Sequence, residues 1–173
     1  MMGTFHVILT FLAVIAARFK DAALRDIVVQ SLVVAEGSVD TMFFGSRSYN
    51  RAIRVYKILY EAFSRILLYD FEIVYISECN DIQKYFLNIS DDEEYDFNML
   101  LSSIELRNYC TRLINFKENL AQRSDLSKFW LSFLEVTEIL LNLIYATRSG
   151  NWNLYVESLR TTLPCFFGFF CIR

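Results

Sequence analysis

The sequence predicts an all-α protein, an irregular bundle of six to seven helices in two lobes. Three observations carry that expectation. Apolar residues recur every three or four positions through most of the 173-residue chain, the spacing that lines one face of a helix. Only one Pro and five Gly are present, too few for the tight turns of a β-rich fold. The apolar fraction is 54%, with sixteen Phe and ten Tyr, enough to build a large aromatic core.

The first helix is expected from Thr4 to Phe19, with Phe5, Ile8, Leu9, Leu12, Ile15 and Phe19 on one stripe. Thr4 to Ala17 is uncharged, and Ile15-Ala16-Ala17 faintly resembles a leader cleavage region. No Lys or Arg precedes it, however, and Arg18 and Lys20 follow it, the reverse of a secretory leader. The stretch is also too short to span a bilayer, so a buried helix is expected. No later segment reads as a membrane span, and an intracellular compartment, cytoplasmic or nuclear, follows as the expectation.

A second helix is expected from Asp21 to Val34, ended by Gly37, with Ser38 capping a short helix that closes near Gly45. A long helix then begins near Ser48. Its stripe is Ala52, Val55, Tyr56, Leu59, Tyr60, Phe63, Ile66 and Leu67. The run Phe71-Glu72-Ile73-Val74-Tyr75-Ile76 alternates as a strand would. With no partner strand apparent, continued helix is the expectation.

Five carboxylates occupy the six positions from Asp91 to Asp96, and Ser90 with Glu93 forms a capping box for a helix from Asp92 to Ala121. Such acidic groups suit the positive end of a helix dipole. The chain reads as one helical domain over residues 1–173, with a lobe boundary near 88–96. Ser124 is positioned to cap the next helix, which is apolar on several sides and therefore central. Ser149-Gly150 breaks it, Asn151 caps a last helix, and Pro164 is expected to close that helix.

The chemistry-bearing residues are sparse, and a non-enzymatic protein is expected, with no catalytic, cofactor or metal site. The single histidine, His6, lies between Phe5 and Val7 and reads as a core residue rather than a catalytic base. Cys79, Cys110, Cys165 and Cys171 form no C-x-x-C pair, so reduced, mostly buried thiols are expected in place of a zinc site. No glycine-rich phosphate loop occurs. The sequential carboxylates suit a helix cap better than a metal-dependent nuclease centre.

Two features point outward. Arg47, Arg51 and Arg54 repeat at i, i+4 and i+7, with Lys57 and Arg65 on about the same side of the long helix. That row is placed to bind phosphates of nucleic acid. It reads equally as a solvated face in which Lys57 pairs with Glu61. The formal net charge of −3 restricts any nucleic-acid contact to such a local patch. At the C-terminus, Phe166, Phe167, Phe169 and Phe170 form an apolar run expected to dock on the body or to meet a protein partner or flanking segment.

Gly3-Thr4-Phe5-His6, Asp21-Ala22-Ala23-Leu24-Arg25-Asp26, Gly37-Ser38-Val39 and Tyr49-Asn50-Arg51-Ala52-Ile53-Arg54 form a succession of short motifs. Ala146-Thr147-Arg148-Ser149-Gly150-Asn151-Trp152 follows, then Leu154, Leu163-Pro164 and Phe166-Phe167. Together these segments resemble a group of uncharacterised proteins associated with mobile elements in animal genomes. Ala23, Tyr155 and Cys165 stand where that group has Gly, His and Trp. The resemblance implies a transposon-related remnant trimmed at both ends, and it supplies no activity.

Overall fold

A computed structural model of the chain describes residues 3–19, 24–44, 49–76, 79–80, 83 and 101–167. Among them the chain forms seven α-helices and no strand. These are α1 (Thr4–Phe19), α2 (Arg25–Gln30), α3 (Val39–Phe44), α4 (Tyr49–Val74), α5 (Ile104–Arg123), α6 (Asp125–Ser149) and α7 (Trp152–Phe167), with a 3-10 turn at Glu36–Ser38. The all-α expectation holds. The β-branched run continues the helix as far as Val74.

Local chemistry sets most helix ends. Ser124 accepts the Ser127 amide at 3.4 Å to open α6, and Asn151 accepts the Leu154 amide at 3.1 Å to open α7. Between them Gly150 takes φ +69°, and the Asn151 amide reaches back to the Ala146 carbonyl at 3.1 Å. Glycine meets no Cβ penalty in that left-handed cap.

Three ends differ from expectation. Gly37 does not close α2. Leu32 does, at φ +58°, with Leu32 N–H donating to the Val29 carbonyl and Val33 N–H to the Val28 carbonyl. These two bonds satisfy the last carbonyls, enough to hold a leucine in a conformation that costs roughly 1–2 kcal/mol. The helix expected over Asp92 to Ala121 is interrupted at Ser103, whose extended backbone and hydroxyl, accepting from Leu106 N–H at 3.2 Å, cap α5 anew. The Ser90–Glu93 capping box lies outside the described residues. Pro164 does not stop α7, which runs on to Phe167. Pro164 and Arg160 are both exposed in that final turn, where solvent can take the carbonyl that proline leaves without a donor.

The chain divides into two compact units: residues 1–62 with 132–173, and residues 63–131. The divisions fall inside α4 and α6, and the lobe boundary expected near 88–96 lies outside the described residues. Burial along the helices gives the reason. In α4, Ala52, Ile53, Val55, Tyr56 and Leu59 are buried, whereas Ile66, expected inside, is 59% exposed. In α6 burial begins at Phe133, and Leu126 is exposed.

The first unit is built around α1 and α6. Ile8, Phe11, Leu12, Ile15, Ala16 and Phe19 line the buried face of α1, which packs against α3 and α7. Phe133 of α6 sits at the centre, edge-on to Phe19 at 5.1 Å and stacked near Tyr56 at 6.3 Å. Burial pushes the Tyr56 phenol far up, so it keeps its proton at any neutral pH. By length and composition α6 is also long and apolar enough to cross a membrane, and eight of its residues are buried.

Thr137 is fully buried on α6, and its hydroxyl has no hydrogen-bond partner among the described residues. An unsatisfied buried hydroxyl destabilises the fold, and a methyl in its place does not. Thr137→Val is expected to raise the unfolding free energy by about 1 kcal/mol in urea denaturation. A loss of stability would mean that the hydroxyl is satisfied.

The second unit has an aromatic core. Phe71 and Phe116 are its buried apolar residues among those described. Phe71 meets Tyr75 at 4.9 Å, Tyr109 at 5.2 Å and Phe116 at 5.5 Å. Phe63 stacks on Trp130 at 4.7 Å in the same unit.

Candidate nucleic-acid interface

The basic row begins with the register of α4. Its apolar stripe from Ala52 to Leu59 faces the core of the first unit, which turns Arg51, Arg54 and Lys57 outward, all three exposed. A helix rises about 1.5 Å per residue, so their positions climb the helix in steps of about 4.5 Å. None of the three is in an ion pair among the described residues, the Lys57–Glu61 pair included. Arg47 lies outside the described residues. Arg65 belongs to the second unit.

A second cluster gathers at the start of this row. Tyr49, the first residue of α4, packs its ring on Phe5 of α1 at 4.9 Å. Partial burial pushes the Tyr49 phenol up, and the Arg148 guanidinium at the end of α6 pulls against it. Thr4 Oγ1 lies 3.4 Å from the Tyr155 hydroxyl of α7, although 151 positions separate them in sequence. Trp152 and Tyr155 stack at 5.5 Å with their rings 28° apart. A groove of about 160 Å³ opens here, lined by Thr4, Thr147, Gly150, Asn151, Trp152 and Tyr155.

His6 stands at this end too, but not in the core as expected. It is exposed, half a helical turn away from the buried stripe of α1, with its ring edge-on to Phe5 at 6.2 Å. The described thiols form no disulfide, as expected, but they are less buried than expected. Cys110 and Cys165 are free, Cys110 is exposed, and Cys79 and Cys165 are half-buried; Cys171 lies outside the described residues. Burial pushes the Cys165 thiol up while nearby Arg18 pulls it down, leaving it protonated at neutral pH. Among the described residues no three His, Cys, Asp or Glu side chains come together as metal ligands.

Of the C-terminal phenylalanines, Phe166 packs on Phe11 of α1 at 5.7 Å, which makes it part of the helix packing. Phe167 ends α7, and Phe169 and Phe170 lie outside the described residues. A larger groove of about 620 Å³ in the second unit is lined by Tyr69, Glu72, Ile73, Cys79, Asn80 and Tyr109, with no Lys or Arg among the described residues. Partial burial, then the nearby Cys79, Glu72 and Cys110, push the Tyr109 phenol up. Cationic and aromatic groups meet in both units, since Arg112 lies 6.0 Å from the Tyr75 ring centroid in the second.

Arg51, Arg54 and Lys57 were legible in the sequence, whereas Arg148 beside Tyr49, and the groove that Asn151, Trp152 and Tyr155 form with Thr4, were not. Phe5 on Tyr49, Thr4 on Tyr155 and Arg148 acting on Tyr49 bring the segments around residues 4, 49 and 148–155 to this one end.

The structure defines an all-α protein with a cationic helix face and an aromatic groove at its start. The chain belongs to the family described as a domain of unknown function (DUF8702), whose model matches residues 1–169. No curated protein and no solved structure matches it.

Proposed function

We propose that this protein is a non-catalytic helical module that binds nucleic acid through the outward face of α4. The observation that carries this reading is the file of Arg51, Arg54 and Lys57, exposed and outside any ion pair among the described residues. Cations held on one rigid helix face, opposite the buried stripe, are preorganised for a row of phosphates. Because the whole chain carries −3, binding is confined to this face and is steeply weakened by salt. The resemblance to mobile-element-associated proteins, carried in part by Tyr49 to Arg54, supports the same reading. A partner contact through Phe166, Phe167, Phe169 and Phe170 has less support, since Phe166 already packs on Phe11.

The test is the double variant Arg51→Ala with Arg54→Ala, titrated with a labelled oligonucleotide of about 16 nucleotides and followed by fluorescence anisotropy. Loss of two phosphate contacts is expected to weaken binding about tenfold at low salt and to flatten the salt slope by about 1.4. Both residues are exposed, so stability should stay within about 0.5 kcal/mol of the parent. Unchanged affinity would reject the proposal.

A further inference from the structure

We propose that the groove between the start of α1, the end of α6 and the start of α7 seats one unstacked nucleobase against Trp152. The protein then prefers single-stranded nucleic acid to duplex. This inference rests on the reading of α4 as a phosphate-binding face and adds the class of nucleic acid.

Trp152 is 69% exposed, which is unusual for the largest apolar side chain and leaves it open to a ligand. It is not loose, because Tyr155 stacks against it at 5.5 Å and both stand in the first turn of α7. A rigid, exposed indole backed by a second ring is a stacking platform, and every base has a π-face to lay on it. The groove beside it holds about 160 Å³. A space of about 150 Å³ accepts a six-membered ring, so the size suits a pyrimidine.

The polar groups suit a base edge. The Asn151 side-chain oxygen is taken up by the Leu154 amide, which leaves its amide nitrogen as a donor pointing away from that cap. The Thr4 and Tyr155 hydroxyls, 3.4 Å apart, can each donate or accept. Charge is arranged for the backbone that such a base would trail. Arg148 acts on the Tyr49 phenol, and Tyr49 opens the helix that carries Arg51 and Arg54. A strand laid along α4 therefore meets the groove at the start of its phosphate track. Paired bases in a duplex are stacked on one another and present no free face to Trp152.

The experiment compares the full chain with its Trp152→Ala and Trp152→Phe variants against an oligo(dT) of about 16 nucleotides and a duplex of equal length. The parent should bind the single strand at least about tenfold more tightly, and Trp152→Ala should remove that preference while leaving duplex affinity within about twofold. Trp152→Phe should keep most of it. Oligo(dT) should also quench the tryptophan emission of the parent, and that quenching should vanish in Trp152→Phe. If Trp152→Ala changes nothing, or weakens both ligands equally, the base seat is overturned. In that event the Arg51→Ala with Arg54→Ala result still decides the phosphate face on its own. No binding of either ligand by the parent would overturn both.

Discussion

Phe133→Ala is expected to lower the unfolding free energy by about 3–5 kcal/mol. The ring is fully buried at the centre of the first unit, edge-on to Phe19 and stacked near Tyr56. Its removal withdraws the contacts that tie α6 to both α1 and α4. A cavity that large cannot close, since the neighbours Phe19 and Tyr56 are themselves held in rigid helices. Set against the 5–15 kcal/mol that stabilises a typical domain, such a loss is severe (about a fifth or more). Urea denaturation followed by circular dichroism measures it. A loss below about 1 kcal/mol would mean that the ring is not the keystone of this packing.

Phe71→Ala should cost the second unit about 3–4 kcal/mol. Phe71 is fully buried and touches Tyr75, Tyr109 and Phe116, so one ring holds α4 against α5. Aromatic pairs contribute about 0.5–1.5 kcal/mol each beyond the area they cover, and this residue makes three. Phe71→Leu, which keeps most of the apolar volume, should lose less than half as much. Equal losses in the two variants would show that ring geometry, not filled volume, holds the cluster. Both predictions are read from stability alone and stand apart from any ligand.

Much of this fold was legible because its signals are local. The bounds of α1 follow from the spacing of Ile8, Leu12, Ile15 and Phe19, and the caps at Ser124, Gly150 and Asn151 follow from side-chain and backbone chemistry within four residues. The exposure of His6 was legible as well, since position 6 lies opposite that stripe on a helical wheel, although the apolar neighbours Phe5 and Val7 pointed inward. Leu32 was not legible. Two backbone bonds stabilise its left-handed turn, and no side-chain preference announces it. Pro164 misled because it lies in the last turn of α7, three residues from its end, where few helical bonds depend on the turn that proline disturbs.

The candidate site divides in the same way. The row of Arg51, Arg54 and Lys57 lies on one helix and shows in the periodicity. The aromatic groove joins Thr4 to Tyr155 across 151 positions, and no helical period relates residues so far apart. Ile66 shows a related effect. It holds the correct phase on α4 but sits beyond Ala62, where the helix leaves the first unit, and the stripe alone does not mark that change.

The central claim is that exposed cations on α4 hold the phosphates of nucleic acid, and the salt dependence of binding tests it most directly. The affinity of the full chain for oligo(dT) is measured as sodium chloride rises, and log K is plotted against log salt. Three cations each displacing one condensed counterion predict a slope of about −2 for a single strand. A slope near zero, or no measurable binding at the lowest salt, would contradict the claim.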